Sequence, residues 1–281
     1  MPGEKRTLRR KSRERTTTHL SDMSVAQITT EVGVVINEET KRKLREMNLG
    51  EIIPALEAQQ KDPGYVALTF DERFQMAVDY LYQEKYNGRI QRLIKQARFR
   101  LPSADVTSII YNGRGLDQNA ILELSTCQFL NRCAHIVLQG FTGSGKTFLA
   151  CAIAKQACKQ RIRTRYIRLP DILMEHDEAK LTPQGKPKLL RKYCGYGLLV
   201  IDEWLLEDIS DDEQHFLFEL IERRHDAAST IFCTQYRKKD WHDRLGGGIH
   251  ADAIMDRIVH NAAWIETGNL NMREYCSKNN I

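Results

Sequence analysis

The chain has 281 residues, 42% of them hydrophobic and 28% charged, with 17 glycines and 7 prolines. That is the make-up of one large globular domain or two modest ones, and it excludes a fibrous or wholly disordered chain. No run approaches the roughly eighteen consecutive apolar residues of a membrane span, and the basic amino end leads into no apolar stretch, so neither a membrane protein nor a secreted one is expected. The 7 cysteines are an odd number without a C-x-x-C pair. They argue for reduced thiols in a cytoplasmic chain and against a zinc ribbon.

The net charge of +5 has a location. Lys5, Arg6, Arg9, Arg10, Lys11, Arg13 and Arg15 face only Glu4 and Glu14, and the rest of the chain is neutral. A basic arm on a neutral body fits a polyanion partner, and equally a disordered, solvated tail. Three regions then separate by pattern: a disordered basic arm at 1–22, a helical domain at 23–125, and at 126–281 a domain in which short β-branched runs alternate with helical stretches.

In the helical region, 38–58 reads as a helix broken near Pro54, followed by a turn at Lys61-Asp-Pro-Gly64. Thr69 and Glu72 then offer a capping box for a helix reaching about Phe99, with Asn87-Gly88 as the candidate interruption. Ile90, Leu93, Ile94 and Ala97 recur at helical spacing as a buried stripe. Beside them Arg89, Arg92, Lys95 and Arg98 recur every third residue, with Lys85 and Arg100 extending the set. Glu84 is the one acid nearby. A solvated face usually mixes signs, so this one-signed face is the candidate for contact with phosphate backbones.

Beyond residue 130 the apolar runs are short and do not alternate, as strands buried on both faces should be. They are His135–Gln139, Arg165–Leu169, Leu198–Ile201, Thr230–Thr234 and Ala263–Glu266. Separated mostly by helical stretches, they predict an α/β domain with a parallel five-stranded sheet.

The first strand leads directly into Gly140-Phe-Thr-Gly-Ser-Gly-Lys-Thr147. Glycines at 140, 143 and 145 let the backbone curl with its N–H groups around phosphates. Lys146 supplies charge to the β and γ oxygens, Thr147 offers a hydroxyl to Mg²⁺, and the helix that starts here adds its positive end. The expected ATP-binding set is Gly140, Phe141, Thr142, Gly143, Ser144, Gly145, Lys146 and Thr147, with Phe148 following. Some fifty residues on, Leu198-Leu-Val-Ile-Asp-Glu203 is an apolar strand ending in two acids. Asp202 is placed to complete the Mg²⁺ shell with Thr147, and Glu203 to orient or deprotonate the attacking water.

GFTGSGKT paired with LLVIDEW resembles the IstB-like helper ATPases of insertion sequences, relatives of the DnaC-type helicase loaders within the AAA+ superfamily. The segment LTFDERFQMAVDYLYQEKYNGRIQRLIKQARF, with GLD at 115–117, is similar to the amino-terminal helical region of that family. The resemblance covers roughly residues 40–275. It implies a P-loop NTPase fold of the AAA+ type with a very short C-terminal lid, and a role for 23–125 in DNA binding and assembly. It further implies a polar sensor at Gln235, an arginine finger to a neighbouring subunit at Arg257, and a second sensor at Arg273 reaching the nucleotide of its own subunit. The implied activity is Mg²⁺-dependent ATP hydrolysis that regulates assembly on double-stranded DNA. The implied partners are the transposase of the same element and further copies of this chain, head to tail in a ring or filament. In such assemblies an insertion like the one carrying Lys180, Lys186, Lys188, Arg191 and Lys192 often faces the DNA channel; a mobile solvated loop is the other reading. A DnaC-type helicase loader shares the core and stays open as the alternative. A small-molecule P-loop kinase and a switch that does not hydrolyse its nucleotide are disfavoured by the short tail and by Glu203.

Overall fold

The computed structural model describes residues 36–279, so the basic arm expected at 1–22 lies outside the described residues. The chain divides between Tyr86 and Asn87 into two compact units.

The first unit is helical. Helix α1 (Glu38–Glu46) is capped by Asn37, whose side chain accepts from the Thr40 N–H at 2.8 Å. A 3₁₀ turn at Gly50–Ile52 leads into α2 (Ile53–Lys61). The break thus falls ahead of Pro54 rather than at it, because proline in a first helical turn withholds an N–H that has no partner there anyway. Helix α3 (Phe70–Ala97) opens on the expected capping box: the Thr69 N–H donates to Glu72 at 2.7 Å and the Glu72 N–H to the Thr69 hydroxyl at 3.3 Å. It runs through Asn87-Gly88 without interruption. One exposed glycine costs about 1 kcal/mol, too little to break so long a helix.

The second unit begins in the last turns of α3, where Ala97 is buried and Leu93 and Ile94 pack on the core. After α4 (Gln118–Ser125) come β1 (His135–Gln139), α5 (Lys146–Lys159), β2 (Thr164–Arg168), α6 (Leu169–Lys180), α7 (Gly185–Cys194), β3 (Leu198–Asp202), α8 (Asp211–Arg224) and β4 (Ser229–Thr234). A single helical turn, Trp241–Arg244, precedes α9 (Gly248–Val259), β5 (Ala262–Glu266) and α10 (Met272–Asn279). The five strands form one parallel sheet in the order β2-β3-β4-β1-β5. Alternation along the strands splits the core in two. Ile136, Leu138, Leu198, Val200, Ile231 and Cys233 face α5, whereas Val137, Leu199, Ile201 and Phe232 face the layer of α6 to α9.

The pattern of the sequence put the boundary of the α/β domain at 126, and the packing puts it earlier. Phe99, Ala104, Ile109, Leu116, Ile121, Leu124 and Phe129 are buried in the same apolar cluster as β1 and α5. These residues are irregular or in short helices, so no periodicity marks them as part of that core. None of the helices among the described residues is long and apolar enough to cross a membrane, and all 7 cysteines are free thiols.

Candidate functional site

The sheet order makes the site. Strand β4 lies between β1 and β3, so the loops leaving β1 and β3 face each other across the carboxyl end of β4. A cleft of about 480 Å³ opens there, lined by residues of all three loops together with Arg100, Met272, Arg273 and Cys276.

The loop after β1 takes the shape its glycines allow. Gly143 and Gly145 both have φ of +90°, a region that strains side-chain-bearing residues. A Cβ on Gly140 would stand 2.1 Å from the Thr267 hydroxyl. Lys146 folds over this loop and donates to the carbonyls of Gly140 at 2.7 Å and Phe141 at 2.9 Å. Burial holds its ammonium below the usual lysine range, and the nearby charge of Arg273 acts in the same direction. Thr142, Gly143, Gly145, Thr147 and Phe148 also line the cleft. Ser144 does not: its buried hydroxyl pairs with that of Thr267 at 2.7 Å and ties the loop to the end of β5.

Opposite, Asp202 is buried and accepts from the Thr147 hydroxyl at 2.7 Å. The same carboxylate oxygen accepts from the Tyr166 phenol at 2.7 Å. Burial, reinforced by the Asp202 charge, pushes that phenol far above its ordinary pKa, so it remains a donor. Hydroxyl and carboxylate oxygens converge as a hard divalent cation requires, with phosphate oxygens to complete the shell, and the donor set fits Mg²⁺. Glu203 follows with a φ of +58°. Arg100 donates to one of its oxygens at 2.9 Å, and Arg168 lies 3.7 Å from the other. Hydrogen bonds to Glu203 and Tyr166 raise the pKa of Arg100.

Of the residues expected from the family resemblance, Gln235 lines the cleft and accepts from the Thr142 hydroxyl at 2.9 Å. Arg273, on the first turn of α10, lines it too. Arg257 does not line it. It pairs with Glu222 and donates to the Ala253 carbonyl at 3.0 Å on α9. Arg89, Arg92 and Lys95 are exposed on the last turns of α3. Arg98 departs from their row: the helix ends at Ala97, and a φ of +54° turns Arg98 off its face. In the insertion, Lys180 is paired with Asp177 and Asp212, Lys186 with Glu219 and Lys192 with Glu175. Most of its charge is neutralised within the fold.

Sequence reasoning missed Tyr166 and Arg168, two residues apart on one face of β2, with Arg168 in register with Asp202. It also missed Arg114. This guanidinium is buried and donates to the carbonyls of Ser144 at 2.6 Å, Thr267 at 2.9 Å and Ile110 at 3.4 Å. Burial lowers its pKa. Position 114 lies beside the Gly115-Leu-Asp117 motif, the one signal that could have pointed to it.

Comparison with known proteins agrees with this geometry. The chain is 30% identical over 206 residues to an insertion sequence IS1162 ATP-binding protein of Pseudomonas fluorescens, covering 72% of this chain and 87% of that one. It is 28% identical over 209 residues to an insertion sequence ATP-binding protein of Sinorhizobium fredii, covering 73% and 83%. Among solved structures it is similar to the DnaC helicase loader, with a TM-score of 0.50 and 22% identity over 58% of this chain and 96% of the loader. That likeness shows the fold, an AAA+ P-loop core. The model of the IstB-like ATP binding proteins matches residues 42–280, and the chain belongs to that family.

Proposed function

We propose that this protein is an ATP-hydrolysing helper of the transposase of its own insertion sequence, assembling on double-stranded DNA under the control of its nucleotide. The observation that carries the reading is the meeting of Lys146, Thr147, Asp202 and Glu203 in one cleft at the carboxyl ends of β1 and β3.

Gly140 to Thr147 supply backbone N–H groups to the phosphates, and Lys146 exchanges its carbonyl partners for the β and γ oxygens. Thr147 and Asp202 would hold Mg²⁺, which would supply neutralisation of the charge that develops on the transferred phosphoryl group. Glu203 takes a proton from the attacking water. As the water oxygen bonds to the γ-phosphorus, the bond from that phosphorus to its bridging oxygen breaks, leaving ADP and inorganic phosphate, and Glu203 gives its proton back to the departing phosphate. Gln235 and Arg273 read the γ-phosphate from the same subunit, and Arg257 completes the site of a neighbouring one. A contact of that kind is head-to-tail and builds a ring or filament.

Support for the transposition role is that the relatives above are insertion-sequence ATP-binding proteins. The helicase-loader alternative rests on fold alone. Arg89, Arg92, Lys95 and Arg98 are the assigned contacts to the phosphates of DNA, within the helical region 23–125. This chemistry suits a cytoplasmic protein.

The test is nucleotide binding and phosphate release by the wild type and two variants. Lys146→Ala is expected to lose ATP binding, and Glu203→Gln to keep binding while losing turnover. Wild-type affinity in the first variant overturns the site, and unchanged turnover in the second overturns the role of Glu203.

A further inference from the structure

Among the described residues, strand β2 is an outer strand of the sheet, hydrogen-bonded to β3 alone. Exposed edges often carry charge to block pairing with other chains, yet the charge here does more than decorate an edge. The end of α3 lies alongside, and two grooves open between them, of about 330 and 400 Å³. Arg163, Lys192 and Tyr196 line the first, and Arg100 and Arg168 the second, while Arg98 and Arg165 line both. The grooves therefore form one furrow with six cationic side chains along it.

The acids of the furrow are already engaged. Asp171 pairs with Arg168 at 2.6 Å, and Glu175 with Lys192 at 2.6 Å and the Tyr193 phenol at 2.7 Å. Arg100 is held by Glu203. Among the described residues, no carboxylate lies within ion-pairing distance of Arg98, Arg163 or Arg165. Arg165 is half-buried, and its Nε is fully buried without a hydrogen-bond partner. The guanidinium carbon of Arg163 lies over the Tyr196 ring, 4.7 Å from its centre, a cation–π contact that leaves the charge unneutralised. Three guanidinium groups gathered and left uncompensated repel one another, and partial burial of one adds to the cost. An anion offsets both. The planar fork of arginine matches phosphate oxygens in pairs, and a furrow longer than one phosphate suits a polymer over a small ion.

We propose that this furrow is a phosphate-binding track for the backbone of duplex DNA, distinct from the row of Arg89, Arg92 and Lys95 and sharing Arg98 with the assigned contacts. Arg89, Arg92 and Lys95 line neither groove. The inference rests on the DNA-binding reading above and adds to it a track on the ATPase unit, whose Arg163 and Arg165 lie outside the lining of the nucleotide cleft.

The test is fluorescence anisotropy of a labelled mixed-sequence duplex, titrated with ATP-bound protein at several salt concentrations. Arg163→Ala with Arg165→Ala is expected to weaken binding at least about tenfold and to flatten the salt dependence by about two counterions, with ATP affinity retained. The double lysine variant restores the salt slope. Should the alanine pair fail to fold, Arg163→Glu at its exposed position carries the same test. Wild-type affinity and slope in the variant that folds overturn the track alone, because the wild type still binds. A wild type that binds no duplex at any salt overturns the DNA reading, and the track with it.

Discussion

Arg100 donates to Glu203 at 2.9 Å while Arg168 stands 3.7 Å from the second oxygen of the same carboxylate. Both oxygens of the assigned water-activating acid are therefore turned toward guanidinium groups. A carboxylate so engaged has fewer lone pairs to offer a water molecule. Arg100→Ala is expected to raise kcat at saturating ATP by about threefold or more, equivalent to ~0.7 kcal/mol in the barrier. Combining it with Glu203→Gln should abolish the gain. A fall in kcat with unchanged KM would instead assign Arg100 to the chemistry.

Arg257 is engaged with Glu222 within its own chain and is absent from the lining of its own cleft. If it serves a neighbour, Arg257→Ala still binds ATP as a monomer but fails to assemble on DNA. Sedimentation with ATP and duplex, beside a nucleotide-binding assay, reads both properties. Normal ATP-dependent assembly of the variant returns Arg257 to a purely structural ion pair.

Arg114 joins three segments through backbone carbonyls and has no carboxylate partner among the described residues. Arg114→Met keeps much of the volume and removes the donors. The stranded carbonyls are expected to cost about 2–4 kcal/mol in urea unfolding, with a weaker thermal shift on adding ATP. A variant of native stability that also binds ATP normally would show that the loop holds itself.

His135 begins β1, and its Nδ1 accepts from the Thr230 N–H at 3.2 Å, which requires a neutral ring. Burial, aided by the nearby charge of Arg224, pulls its pKa from 6.5 to about 4. Between those values the unfolded chain binds a proton that the folded chain refuses. This contribution to stability is complete above pH 6.5 and is lost as pH falls toward 4, by up to about 3 kcal/mol. Chemical denaturation across that window should show the slope, and His135→Gln should flatten it. Equal slopes would place the effect on another group.

The glycine loop, the acids at the end of β3 and all five strands were legible because each is written locally. A glycine pattern, a short apolar run and a capping box are all read from neighbours in the chain. The helix from Phe70 to Ala97 was legible for the same reason, although Gly88 suggested a break that the helix ignores. What stayed hidden depends on partners far apart in sequence. Arg114 reaches a carbonyl 153 residues away, and Tyr166 reaches a carboxylate 36 residues away. The lysines around Thr182 read as a free basic loop because Asp212 and Glu219, which neutralise two of them, sit on another helix. The apolar residues from Phe99 to Phe129 carry no period, so nothing in their spacing assigned them to the core they fill.

The tie made by Arg114 bears on the order in which the protein becomes competent during synthesis. Its partners include Thr267, whose hydroxyl also meets Ser144, and the Met272 N–H donates to the Gly143 carbonyl at 2.8 Å. The glycine loop is thus fastened by residues that reach the ribosome's exit more than 120 positions after it, Thr267 following Ser144 by 123. A nascent chain halted before Thr267 would hold the whole glycine motif and still lack its clasp, so added ATP is expected to stabilise only a polypeptide whose synthesis has passed Met272.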